Sequence, residues 1–155
     1  MPTGEFAALD LPVKRVFVTE NEINGLVFPN VPASLVIFGL GYGLERLGEV
    51  GWLRQRALHY WGDIDTYGFH ILDRLRSIFP DAQSFLMDRE TLLEHVALWV
   101  RESTPYDGEL RRLTTAESAL YEDLRQNRLG DRVRLEQERI PFGRIERALD
   151  GVAAC

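Results

Sequence analysis

Four short runs of this sequence are apolar almost without interruption: Val16–Thr19, Leu35–Phe38, Leu58–Trp61 and Ser84–Met87. A strand with one wet face alternates apolar and polar residues, whereas a strand covered on both faces does not. Helical patterns separate the runs. Leu44, Leu47 and Leu53 place an apolar stripe within Tyr42–Arg56, with Gly48 and Gly51 interrupting it, and Phe69, Leu72, Leu75 and Phe79 make a cleaner stripe closed by Pro80. Strand and helix in alternation predict an α/β fold with a mostly parallel sheet.

Beyond Met87, Asp88-Arg89-Glu90 reads as the cap of a helix reaching about Val100. Glu102 to Arg112, with Pro105 and Asp107-Gly108, reads as a surface loop. Thr114-Thr115-Ala116-Glu117 fits a capping box for a helix to about Leu129, ended by Gly130. Pro141 then opens a last amphipathic helix with Phe142, Ile145 and Leu149 inward. The 155 residues suit one domain. Within it, about 13–100 form the α/β unit and 101–155 a helical extension.

Two strands end in acids. Arg15-Val16-Phe17-Val18-Thr19 runs into Glu20-Asn21-Glu22, and Leu58-His59-Tyr60-Trp61 runs into Gly62-Asp63-Ile64-Asp65-Thr66. Carboxyl ends of neighbouring parallel strands face a common crevice. If the first and third strands are neighbours, Glu20, Asp63 and Asp65 meet there, and three carboxylates suit one or two magnesium ions of the kind used in phosphodiester chemistry. Each acid also has a purely structural reading, Asp65 as a helix N-cap and Asp63 as a turn residue. Two acidic strand ends in one fold favour the metal.

Other features exclude or weaken alternatives. Haloacid dehalogenase-type phosphatases carry a similar Asp-x-Asp, and receiver domains pair acids at strand ends, but both want a downstream lysine. Lys14 is the sole lysine. His59 in a strand and His70 on the exposed side of a helix read as structural, and no Cys/His spacing fits zinc. Gly39-Leu40-Gly41-Tyr42-Gly43 lacks the full dinucleotide-loop spacing. The formal charge of −6 opposes a free-standing grip on nucleic acid, so a partner or further domain is expected to help hold DNA. The single cysteine, Cys155, forms no internal disulfide, and neither a membrane span nor a secretory pattern is present; the expected setting is cytoplasmic.

With these residues laid out, the chain resembles a Toprim domain, whose hallmark is a glutamate ending one strand and an Asp-x-Asp ending a later one. Val16 to Asn24, Val36-Ile37-Phe38-Gly39, Tyr60 to Phe69 and Arg134 to Ile140 resemble, more closely, the carboxyl-terminal domain of the nuclease subunit (JetD-like) of Wadjet anti-plasmid systems. The resemblance implies a Toprim fold: a four-stranded, mostly parallel sheet flanked by helices, with extra C-terminal helices. It implies Mg²⁺- or Mn²⁺-dependent cleavage of plasmid DNA, with Glu20, Asp63 and Asp65 as catalytic metal ligands; beside them, Glu22, Glu136 and Glu138 are kept as candidate supporting acids. A homodimer working with condensin-like motor subunits is implied as well. The competing expectation is a catalytically silent scaffold that docks those subunits. The short stretch before the first strand leads to the expectation that the upstream arm and winged-helix domain of such nucleases are absent.

Overall fold

The computed structural model describes residues 13–20, 34–37 and 44–153. Its centre is a parallel sheet of β1 (Arg15–Thr19), β2 (Ser34–Ile37), β3 (Ala57–Trp61) and β4 (Gln83–Ser84), in the order β2-β1-β3-β4. Thr19 pairs with Trp61, so β1 and β3 end level with one another. The chain leaves β1 for β2 on one side and returns to β3 on the other. The gap beyond Thr19 and Trp61 is therefore a topological switch point, where open α/β sheets leave a crevice.

The first three apolar runs coincide with β1, β2 and β3, whereas the fourth, Ser84–Met87, shares only Ser84 with β4. Only Gln83–Ser84 pairs in β4; the chain then turns away at Leu86, which has φ 54°. Phe38 and the Gly39–Gly43 loop lie outside the described residues. Val16, Val18 and Tyr60 are fully buried, as a strand covered on both faces requires. Phe17 stacks on His59 at 5.0 Å and meets Phe85 edge-on at 5.5 Å, so His59 is a core histidine and burial lowers its pKa, with Arg15 adding to the shift.

Helix α1 (Thr66–Ile78) buries Phe69, Leu72 and Leu75 against the sheet and against α3 (Thr115–Arg125), where Phe69 meets Tyr121. The region expected as one helix over Tyr42–Arg56 is instead two 3-10 helices, Leu44–Glu49 and Gly51–Gln55. Leu44, Leu47 and Leu53 still face the core. Gly48 accounts for part of the difference: a Cβ there would come within 2.9 Å of Ile78 Cγ2, and glycine is a poor helix former. Arg54 also draws the backbone to itself, donating to the carbonyls of Ile78 at 2.6 Å and Gly48 at 3.4 Å.

Asp88 does cap the next helix, accepting from Thr91 N at 2.9 Å, but α2 (Arg89–Glu94) stops well short of Val100. Side chains take over its last carbonyls: Trp99 Nε1 donates to Leu92 O at 2.9 Å, and His95 Nδ1 lies 2.6 Å from Thr91 O. A 3-10 helix (Val96–Leu98) and β5 (Val100–Arg101) follow, and β5 pairs antiparallel with β6 (Val133–Arg134). The capping box of α3 is present, with Thr114 and Glu117 as its two partners, though the helix ends at Arg125 rather than Leu129. Asn127, with φ 56°, turns the chain there. In α4 (Phe142–Ala153) Ile145 and Leu149 are buried as expected, whereas Phe142 is 51% exposed. No helix among the described residues is long and apolar enough to cross a membrane.

One buried ion pair ties the layers together. Arg76 of α1 meets Glu117 of α3, with Nη1 and Nη2 both donating, and Arg76 Nε donates to Ala82 O at 2.8 Å. Ser84 Oγ donates to the same carboxylate at 2.7 Å and Thr114 N at 2.8 Å. Burial alone would push the Glu117 pKa up, but hydrogen bonds from Arg76, Ser84 and Thr114 outweigh it and hold the pKa below its ordinary 4.5. A lowered carboxyl pKa adds stability that is complete above the unfolded value and lost as pH falls through the folded one. Stability measured by urea unfolding should therefore decline as pH is lowered below about 4.5. Glu117→Ala should cost about 3–5 kcal/mol at neutral pH, because it strands the Arg76 guanidinium, and should flatten that pH dependence.

Candidate functional site

The chain after β3 makes a tight turn through Gly62 and Asp63 into α1. Three orphan amides at the start of α1 would be costly to leave unpaired in this buried setting. Two acids satisfy them. Asp65 is the N-cap, accepting from Gly68 N through Oδ1 at 2.6 Å. Glu102, 1% exposed, accepts from the backbone of Thr66 at 3.4 Å and of Tyr67 at 3.1 Å, and from Thr66 Oγ1 at 2.8 Å. Thr66 Oγ1 in turn accepts from Tyr106 N at 2.8 Å. Both carboxylates sit at the positive end of the helix dipole, which favours them.

Between the two aspartates, Ile64 pairs antiparallel with Leu135: Ile64 N donates to Leu135 O at 2.9 Å and Leu135 N to Ile64 O at 3.1 Å. Both side chains are fully buried. This bridge brings the segment after β6 across the acidic turn. Gln137, itself 1% exposed, donates its backbone N–H to Asp63 Oδ1 at 2.9 Å and accepts from Thr19 Oγ1 at 3.1 Å. Arg134 Nε donates to Asp65 Oδ2 at 2.7 Å.

The result is an open cleft of about 190 Å³ lined by Glu20, Asp63, Asp65, Tyr67, Gly68, Arg134, Gln137 and Glu138. Glu20, Asp63 and Asp65 thus line one surface, at the carboxyl ends of β1 and β3. Of the supporting acids, Glu138 lines the same cleft. Glu136 stands beside it, 3.7 Å from Arg139 Nε, and Glu22 lies outside the described residues. Among the described residues no three acid, histidine or cysteine side chains close on a single point. Asp65 has both oxygens engaged, by Gly68 and by Arg134.

The electrostatics are those of crowded anions. Burial raises the Glu20 pKa and the nearby Asp63 raises it further, while Arg74 opposes both. Burial likewise raises Asp63, with Asp65 and Glu136 adding and the Gln137 amide and Arg134 subtracting. Asp65 is pushed to about 6 by burial and then by Glu102, against Gly68 and Arg134. Glu138 is raised by burial and by Asp63. Beneath them the Tyr60 hydroxyl is buried with no hydrogen-bond partner among the described residues; burial and the three acids push its pKa well up. Hard carboxylate oxygens that destabilise one another fit Mg²⁺ or Mn²⁺, whose charge would relieve the repulsion. Among the described residues Asp63 accepts a bond through Oδ1 alone, from Gln137, so of the two aspartates it could offer an oxygen with less rearrangement.

Sequence reasoning placed the acids but not what surrounds them. Arg134, Gln137 and Glu102 come from the extension and its loop, and no periodicity marks a residue that acts across the fold. His70, expected on an exposed helix side, is half-buried, stacked on Tyr106 at 3.8 Å and met edge-on by Tyr67 at 5.6 Å. Of these three rings, Tyr67 lines the cleft. The local glycine also has a definite role: a Cβ at Gly68 would overlap the Asp63 carbonyl oxygen and crowd Asp65 Oδ1 at 3.2 Å. Gly68→Ala should destabilise by about 1–3 kcal/mol in urea unfolding, as overpacking does, because the segment carrying Asp63 must move.

The family model described as Wadjet protein JetD, C-terminal, matches residues 1–149. No curated protein matches the chain.

Proposed function

Because this chain belongs to the family of Wadjet JetD C-terminal domains, a component of an anti-plasmid system with partner subunits, we propose that it is a Toprim-type metal-dependent nuclease that hydrolyses phosphodiester bonds of plasmid DNA. The observation that carries this reading is the meeting of Glu20 and Asp63 at the level ends of β1 and β3, in a cleft also lined by Asp65 and Glu138. Crevices at such switch points are where α/β sheets bind their ligands.

Glu20 and the Asp63 oxygen that Gln137 leaves unengaged among the described residues would hold Mg²⁺ or Mn²⁺, with Asp65 joining if it gives up Arg134. The ion, when bound, polarises a phosphate and lowers the pKa of water. The remaining work falls to the chain. Gln137 fixes the Asp63 carboxylate by its amide and ties it to Thr19 at the end of β1, so the two strand ends keep one spacing. Glu138, exposed at the rim with its pKa raised, is suited to take and release a proton at the water or the leaving oxygen. Asp65 and Glu102 hold the start of α1, and through it the turn carrying Asp63.

The cleft itself is acidic, and the chain carries 24 acidic against 18 basic residues. Productive binding of plasmid DNA therefore draws on other surfaces, in our reading those of a second copy of the chain and of condensin-like motor subunits. A silent scaffold remains the competing reading, supported by the engagement of both Asp65 oxygens and by the exposed apolar side chains Leu93, Val96 and Phe142.

Plasmid nicking or linearisation with Mn²⁺ should fall by at least about a hundredfold in Asp63→Ala and in Glu20→Gln, the scale at which loss of a group acting in the transition state registers. Thermal melting of Glu20→Gln should stay near the parent's, and that of Asp63→Ala should fall by only the few degrees that an orphaned Gln137 amide costs. Cleavage unchanged by Asp63→Ala would sink the nuclease reading, and partner binding that survives loss of all three acids without any cleavage would favour the scaffold.

A further inference from the structure

The cleft contains one cation among its described lining residues, Arg134, set among Glu20, Asp63, Asp65 and Glu138. Its guanidinium uses a single donor. Nε is held by Asp65 Oδ2 at 2.7 Å, and neither terminal nitrogen makes a hydrogen bond among the described residues. The side chain is 26% exposed, while that of its partner Asp65 is 2% exposed. Both neighbours of Arg134 along the chain are buried: Val133 pairs with Arg101, and Leu135 is locked to Ile64.

A guanidinium that merely neutralised Asp65 would gain most by presenting its two-nitrogen fork to both carboxylate oxygens. Here one of those oxygens is committed to Gly68, and the pairing through Nε leaves the fork open to the cleft's solvent. The fork's geometry matches two phosphate oxygens, and its charge persists at any working pH. Its orientation is fixed at both ends of the residue, so little freedom would be lost when an anion docks.

We propose that Arg134 is a phosphate-positioning residue, binding a backbone phosphate of the DNA substrate through its two terminal nitrogens while Asp65 holds it by Nε. The proposal rests on the nuclease reading for the identity of the phosphate donor. It gives Asp65 a role distinct from that of Asp63: Asp63 serves the cation, and Asp65 aims the arginine and caps α1. The arrangement also answers a problem posed by the acidic cleft, whose carboxylates repel phosphate while Arg134, the cation among its described lining residues, attracts it.

The test is equilibrium binding of a short labelled DNA duplex to the full chain, in Ca²⁺ and over a range of salt concentrations, for the parent, Arg134→Gln and Arg134→Lys. Arg134→Gln should weaken binding about tenfold, the scale of a charged hydrogen-bonded contact, and should reduce the slope of log affinity against log salt by about 0.9, the value for one phosphate contact. Arg134→Lys keeps the charge but loses the fork, so it should retain the slope and still bind about tenfold more weakly. That variant carries the test if the glutamine variant fails to fold. A parent that binds no duplex, an unchanged slope in folded Arg134→Gln, or Arg134→Lys binding as tightly as the parent would each overturn the proposal. Cleavage with Mn²⁺ is scored separately. A parent that cleaves while Arg134→Gln keeps its slope removes this role and leaves the nuclease. A parent that binds with the Arg134-dependent slope yet never cleaves does the reverse.

Discussion

Two backbone hydrogen bonds between Ile64 and Leu135 decide the shape of this protein's acidic cleft. Ile64 stands between two acids whose side chains leave the backbone for a cleft, so its own amide and carbonyl sit at the end of β3 with no strand neighbour. Leu135 supplies one. Because both residues are fully buried, the bridge is shielded from competing water, and an unmade bond there would carry a full desolvation cost. Everything the extension contributes follows from that register: Arg134 falls beside Asp65, Gln137 beside Asp63, and Glu138 at the rim.

The site gathers acids at some cost to stability. Asp65 and Glu102 both crowd the start of α1, and the Asp65 pKa of about 6 registers burial and the proximity of Glu102. The helix dipole, the Gly68 amide and Arg134 offset part of that cost. A fold selected only for stability would have little reason to keep Glu20, Asp63 and Glu138 within mutual repulsion. Elsewhere the protein treats buried charge differently: Glu117 is surrounded by donors from Arg76, Ser84 and Thr114, and its pKa falls. The core carboxylate is satisfied by its donors, whereas those of the cleft repel one another, and it is this contrast on which the proposed role of the cleft draws.

Legibility from sequence followed the range of the interaction that fixes each element. β1, β3 and α1 are marked by their own residues, and the Asp88 and Thr114 caps are local motifs that formed as read. The 3-10 helices around Gly48 and Gly51 escaped a periodicity argument, because an apolar stripe looks the same whether the backbone coils tightly or loosely. The early stop of α2 depends on Trp99 and His95 reaching back to its carbonyls. The β5–β6 pair has two residues a side, too few to leave a pattern.

What the sequence determined by itself was the α/β alternation and the presence of acids at the ends of two strands, since both arise from contiguous residues under simple steric and solvation rules. Only the tertiary structure decided that β1 and β3 are adjacent with their ends level, and hence that Glu20 and Asp63 share a cleft. It decided, too, that Arg134 and Gln137, about seventy residues downstream of the aspartates they hold, belong to the same site. Strand order and cross-chain pairing are settled by which buried surfaces and backbone groups find partners. That competition is among distant parts of the chain, and no local pattern encodes its outcome.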